Sequence, residues 1–294
     1  MGVSAVGKIH AIARLMRVDR PVGTLLLLWP TLAALWIAAE GLPPIGILAA
    51  FVAGTFLARS AGCVINDIAD RKVDGHVERT RDRPLPKGDV SLREALALLV
   101  VLAALCLAVV LTLNVPTRWL ALAGAGIAAA YPFLKRWTHW PQAALGVAFS
   151  WGIPMAFAAV NGTTNVIAWL LFGASLLWIV AYDTLYAMVD RDDDLIVGIK
   201  STAILFGNAD RAVIGALQLA TVGLLLGLGV VAGFAHGWYF GVAVALGLFV
   251  FQQRLIKNRH RDACFKAFGN NVWVGFALFA GAVAEFGAAG IGDR

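Results

Sequence analysis

Charge is what this chain has least of. Only 14% of its 294 residues are Asp, Glu, Lys or Arg, against about 25% in a soluble globule. Cysteine is scarce too: Cys63, Cys106 and Cys264 show no CxxC spacing, which excludes a disulfide-stapled secreted domain. Cys63 reads as packing rather than as a nucleophile. The five histidines (10, 76, 139, 236 and 260) are scattered, so no zinc, iron–sulfur or haem site is indicated. The first 20 residues hold Lys8, Arg14, Arg17 and Arg20 but no long apolar core and no small-residue cleavage site. They read as a retained cytoplasmic lead rather than a signal peptide. Apolar residues are what the chain has in excess, 60% of the total, with a mean hydropathy of +0.78. That rules out both a soluble globule and a disordered chain. The membrane class remains.

A spanning helix needs about 20 apolar residues, because the hydrocarbon core is about 30 Å thick. Nine segments qualify, at roughly 21–39, 44–65, 92–113, 117–134, 141–160, 166–189, 211–233, 237–255 and 270–290. The runs are continuous rather than alternating, which favours helices over a barrel. The expectation is an all-α integral membrane protein: one domain over 1–294, with nine transmembrane helices around a central cavity. With the N-terminus inside, 22 of the 24 Lys and Arg residues fall on inner segments or the helix ends beside them, leaving only Arg118 and Arg294. The positive-inside rule then sets the N-terminus in the cytoplasm and the C-terminus in the periplasm. A pI near 9.5 needs no nucleic-acid partner, because a basic inner rim facing the lipid bilayer accounts for it. Trp29, Trp36, Trp119, Trp140 and Trp238 fall near the expected boundaries and read as an interfacial belt.

Outer loops are short turns, whereas 67–93 and 190–210 are long inner loops rich in charge. Long loops on one side are where function is expected. A third inner segment, 254–266, reads as a basic anchor to anionic lipid. The second expected helix ends in Asn66-Asp67-Ile68-Ala69-Asp70-Arg71-Lys72-Val73-Asp74, and the sixth ends in a tract that includes Asp183, Tyr186, Asp190 and Asp192 to Asp194. Asp70 and Asp74 are four apart, as are Asp190 and Asp194, which stacks like charges on one helical face. Such an arrangement costs stability unless a cation lies between them. Mg²⁺ suits carboxylate oxygens and bridges to phosphates. A solvated acidic rim is the competing reading, but two copies in the same register, 120 residues apart, argue against it. The repeat suggests two helical halves with related Asp-rich loops at about 66–91 and 183–210. Asp183 lies inside an apolar span, where a charge is costly. Arg59, equally deep, serves either a substrate or a structural ion pair.

Arg71, Arg79, Arg83, Lys135 and Lys200 lie close to these acids in sequence. Carboxylates with Mg²⁺, plus Arg and Lys, suit a diphosphate, and apolar helices suit a hydrocarbon tail. Together they point to a prenyl diphosphate.

The same residues carry a resemblance. Asn66-Asp67-x-x-Asp70-x-x-x-Asp74, Arg83-Pro84-Leu85, Tyr131-Pro132-x-x-Lys135-Arg136, Asp183-x-x-Tyr186-Ala187-x-x-Asp190-x-x-x-Asp194 and Gly198-x-Lys200-Ser201 resemble the signatures of the UbiA family of intramembrane aromatic prenyltransferases. The likeness runs from about Arg17 to the last helix. Asp19-Arg20-Pro21-Val22-Gly23-Thr24, running into Leu25 to Pro30, and the tract from Tyr186 to Asp194 resemble the bacterial branch that prenylates 4-hydroxybenzoate for ubiquinone. The resemblance implies Mg²⁺ held by both acidic motifs and a polyprenyl diphosphate that ionises to an allylic cation. The ring carbon ortho to the phenol then attacks, in a bacterial inner-membrane enzyme whose site faces the cytoplasm. On this likeness Asn66, Asp67, Asp70, Asp74, Asp190 and Asp194 do the metal–diphosphate work. Asp183 and Tyr186 orient the site or polarise the phenol. Lys200 and nearby cations (Arg59, Arg71, Arg83 and Lys135) meet the substrate and its leaving charge, and Arg136 or Arg20 takes the acceptor's carboxylate. Two rivals are a sibling using homogentisate, a naphthoate or haem, and a cation transporter. A transporter needs polar residues throughout the bilayer depth, whereas the outer half here is nearly uncharged apart from Glu40 and Glu285.

Overall fold

The computed structural model describes residues 5–71, 80–134 and 137–289. Among the described residues there are helices and no strands. In order these are α1 (Ala5–Leu15), α2 (Val22–Ala39), α3 (Ile45–Asp70), α4 (Pro84–Lys87), α5 (Leu92–Leu111), α6 (Val115–Leu134), α7 (Pro141–Ser150), α8 (Gly152–Asn161), α9 (Val166–Val197), α10 (Thr202–Phe206), α11 (Asp210–Ala232), α12 (His236–Leu255) and α13 (Arg261–Ala289). Eight stretches among the described residues are long and apolar enough to cross a membrane, with α7 and α8 together making one. This is a multi-span membrane protein.

Between helices in lipid the hydrophobic effect contributes little, so close packing and interhelical hydrogen bonds decide which faces meet. The α12–α13 pair shows both. A Cβ on Gly237 would lie 2.5 Å from the backbone nitrogen of Glu285, and one on Gly241 would lie 2.6 Å from the Ala277 carbonyl oxygen. Only glycine permits that approach. It also brings the Glu285 carboxylate onto the start of α12, where it accepts from the backbone N–H groups of Ala235 and Trp238. A buried amide chain ties in α11: Gln218 donates to Gln252 at 2.9 Å, Gln252 to Asn270 at 2.9 Å, and Gln253 to Gln218 at 3.0 Å. Each such bond contributes about 0.6 kcal/mol and fixes register. The largest core cluster joins α2, α8, α9, α11, α12 and α13.

Several sequence expectations shift. The sixth expected span ends near 189, whereas α9 runs to Val197 and takes the Asp-rich tract into the helix. Its stop is Gly198, which adopts φ +73° and returns its N–H to the Asp194 carbonyl. The inner loops are correspondingly shorter, and the last helix begins at Arg261 rather than near 270. The expected span at 141–160 is broken after Ser150, because Pro154 has no N–H to offer that carbonyl. Of the expected tryptophan belt, Trp119 and Trp140 are exposed. The belt fails for Trp238, which is fully buried with Nε1 donating to Leu225 O at 2.9 Å. Trp29 and Trp36 likewise pack on Phe279 between helices. The basic lead is also docked. Ala11 and Leu15 bury against Val64, Val90 and Ala95, while Lys8 pairs with Glu94 at 3.0 Å.

Candidate active site

The last turn of α3 carries Asn66, Asp67 and Asp70. On α9, Asp183, Tyr186, Asp190 and Asp194 follow at spacings of three, four and four, so they share one helical face. Tyr131, in the last turn of α6, connects the two groups. It lies within electrostatic reach of Asp70 and Arg59 from α3 and of Asp183 and Tyr186 from α9. Tyr182 is within reach of Asp183, Arg59 and Tyr131 in turn. The Arg59 guanidinium lies 5.7 Å from the centre of the Phe149 ring. It presses so closely on Gly23 that a Cβ there would come within 2.5 Å of Nη2. Among the described residues Arg59 has no carboxylate partner. Tyr131 thus lies within electrostatic reach of a cation, of acids from two helices and of two further tyrosines.

Asp67 is differently placed. It is fully buried and gripped from both sides, by Arg17 Nη2 at 2.9 and 3.1 Å and by Arg83 Nη1 at 3.1 Å. Arg17 reaches it by turning to φ +58° just past α1, and Arg83 sits extended before Pro84 at the start of α4. A matching node stands at the second acidic end. Asp210, also fully buried, accepts from Arg191 Nη2 at 2.5 Å and from Arg259 Nε at 2.9 Å. That hydrogen bond holds the Arg259 guanidinium above its usual range. Arg259 therefore folds into the protein, which corrects its reading as part of a loose lipid anchor.

The other expected residues take varied places. Asp70 and Asp190 are buried, while Asn66, Asp183 and Asp194 are half-buried. The Tyr186 ring packs 4.6 Å from Phe268. Lys200 Nζ donates to the Trp137 carbonyl at 3.3 Å, joining the segment after α9 to the segment after α6. Arg71 is exposed and, among the described residues, bonds its own turn at Ile68 O. Arg20 is 70% exposed and faces its neighbour Asp19 at 3.8 Å. Asp74, Arg79, Lys135 and Arg136 lie outside the described residues. Among those described, no three acidic, His or Cys side chains converge on a metal by themselves. The donor set offered by Asn66, Asp70, Asp190 and Asp194 is oxygen throughout, which fits Mg²⁺, an ion that keeps waters and shares substrate phosphates. Sequence reasoning assigned no role to Tyr131 or Arg17. Tyr131 stood inside a recognised motif whose weight was placed on its cations. Arg17 was counted as rim charge, and its 50-residue reach to Asp67 leaves no trace in local spacing.

Comparison with known proteins adds to this geometry. The model of the UbiA prenyltransferase family matches residues 27–280. The 4-hydroxybenzoate octaprenyltransferase of Escherichia fergusonii is 58% identical over 274 residues, 93% of this chain and 94% of that protein. That of Citrobacter koseri is 58% identical over 93% of this chain and 95% of its own length. Among solved structures, an apo UbiA homologue from Aeropyrum pernix K1 superposes with a TM-score of 0.80 at 25% identity, over 90% of this chain and 98% of that one. A UbiA homologue from Archaeoglobus fulgidus, bound to GPP and Mg²⁺, shares the fold with a TM-score of 0.70 at 19% identity, over 92% and 99%.

Proposed function

Because the chain belongs to the UbiA prenyltransferase family, we propose that it transfers a polyprenyl group from polyprenyl diphosphate to 4-hydroxybenzoate. The new bond forms at the carbon ortho to the hydroxyl, and diphosphate leaves, as a step of ubiquinone synthesis. The observation that carries this reading is that Tyr131 lies within electrostatic reach of Arg59 and of acids from both α3 and α9. The 58% identity to 4-hydroxybenzoate octaprenyltransferases supports the acceptor.

Asn66, Asp70, Asp190 and Asp194, together with Asp74, hold Mg²⁺. When bound, Mg²⁺ offsets the negative charge that grows on the departing diphosphate. Asp67 contributes by fixing Arg17 and Arg83 at the end of α3, and those guanidiniums, together with Lys200, Arg71 and Lys135, offset the charge of the leaving anion. Ionisation leaves an allylic cation among apolar helices, a dry site that keeps water from quenching it. Asp183 and Tyr186 orient the acceptor so that its ortho carbon attacks, and loss of the ring proton restores aromaticity. Arg59, rather than the exposed Arg20, takes the acceptor's carboxylate.

The single domain sits in the bacterial inner membrane with its site facing the cytoplasm, N-terminus inside and C-terminus outside. Its two halves each deliver one acidic motif. In this reading α6 is the ninth span. It is a helix of 20 residues, and a crossing at that point is what lets the C-terminal ends of α3 and α9 emerge together. The test uses membranes carrying the protein, geranyl diphosphate and labelled 4-hydroxybenzoate. Label should enter an apolar extract with Mg²⁺ and stay out of it with EDTA. Turnover of homogentisate or a naphthoate instead would move the acceptor. No product from any acceptor in folded protein would end the proposal.

Arg59→Gln should raise KM for 4-hydroxybenzoate by about 10- to 100-fold, the worth of a charge-assisted hydrogen bond of about 1.5–3 kcal/mol, with a smaller change in KM for the prenyl donor. An unchanged acceptor KM would remove Arg59 from the carboxylate.

A further inference from the structure

Between α11 and α12 lies a cleft of about 650 Å³ that the proposed reaction does not use. Gly215, Ala216 and Leu219 line it from one helix, and Leu246, Phe249 and Val250 from the other. Leu219, Leu246 and Val250 are exposed on helices long and apolar enough to cross the membrane, so the cleft opens to lipid. Three cations, Arg211, Arg254 and Lys257, gather at one end of it. That end lies beside the acidic tract of α9, because Asp210, next to Arg211, bonds Arg191.

These cations lack compensation. Arg254 and Lys257 are exposed and have no carboxylate partner among the described residues. Arg211 has a buried Nε with no hydrogen-bond partner, and its Nη2 finds only the Gln253 carbonyl at 3.5 Å. The nearest carboxylate in sequence, Asp210, is already taken by Arg191 and Arg259. A buried donor without an acceptor is costly, and basic pockets between spanning helices at this depth suit anionic headgroups.

We infer that the cleft is a binding site for an anionic glycerophospholipid, its phosphate on Arg211, Arg254 and Lys257 and an acyl chain along the apolar slot. A zwitterionic lipid would set its own cation against these three. A free phosphate would gain nothing from the apolar walls.

The test is native mass spectrometry of the intact protein, released from micelles holding equal phosphatidylglycerol and phosphatidylcholine. The parent protein should retain phosphatidylglycerol preferentially, and Arg254→Gln with Lys257→Gln should cut that retention about tenfold or more. Ala216→Trp keeps every charge and fills the slot from an exposed position, so it should cut retention as well while the melting temperature holds. Retention unaffected by Ala216→Trp would reduce the effect to general attraction by a basic surface. Displacement of the bound lipid by glycerol phosphate would assign the site to a free anion. No preference in the parent would overturn the inference outright.

Discussion

Asp190→Asn should lower kcat/KM for prenyl transfer by roughly two to three orders of magnitude, the usual loss when one preorganised stabiliser of developing charge is removed. Asp70→Asn should do the same from the other helix, 120 residues away in sequence. Both side chains are buried, Asp70 as the last residue of α3 and Asp190 two turns before the end of α9, and the amide keeps their shape while removing the charge that would anchor a hard cation. The two losses share a cause, so the double variant should fall little further than either single one. The half-saturating Mg²⁺ concentration should rise in each variant, while melting in detergent stays near that of the parent. Parental turnover with an unchanged half-saturating Mg²⁺ concentration in either variant would take that carboxylate out of the metal site.

The sequence made the bundle legible because lipid leaves few options. An apolar run of about 20 residues must become a helix, and eight of the expected runs overlap the candidate spans α2, α3, α5, α7 with α8, α9, α11, α12 and α13 among the described residues. Helix ends were less legible because hydropathy marks where lipid stops, whereas backbone chemistry marks where a helix stops. Asp190 to Asp194 are too polar for the bilayer yet contain no glycine or proline, so α9 continues until Gly198. Pro154 and Gly198 were available as signals, and reading them as breakers would have placed both boundaries. The acidic motifs could be read because their four-residue spacing is local. The arginines that grip Asp67 and Asp210 could not, because those contacts close loops of up to 50 residues, which only packing selects.

Asp67→Ala is the test that separates holding from catalysis within the first motif. It should cost about 3–5 kcal/mol, because removing one partner of a buried pair strands the remaining charge. Here two guanidiniums lose their shared carboxylate, each with a side chain only 19% exposed. For a domain of this size that is a fall in melting temperature of about 10 °C, measurable by thermal aggregation in detergent. Activity below the melt should survive better than in Asp70→Asn. Adding Arg17→Leu and Arg83→Leu should restore much of the stability, since well-packed apolar replacements of a buried ion group are often neutral. It should not restore the rate, because the two cations proposed to meet the leaving diphosphate are then gone. A variant that melts with the parent yet loses all turnover would make Asp67 a ligand in its own right. The distinction matters because Arg17 closes α1 and Arg83 opens α4. Through Asp67 the N-terminal lead, the end of α3 and the segment at the start of α4 are held as one unit, so the position of the acids proposed to hold Mg²⁺ depends on a carboxylate that need not touch the metal.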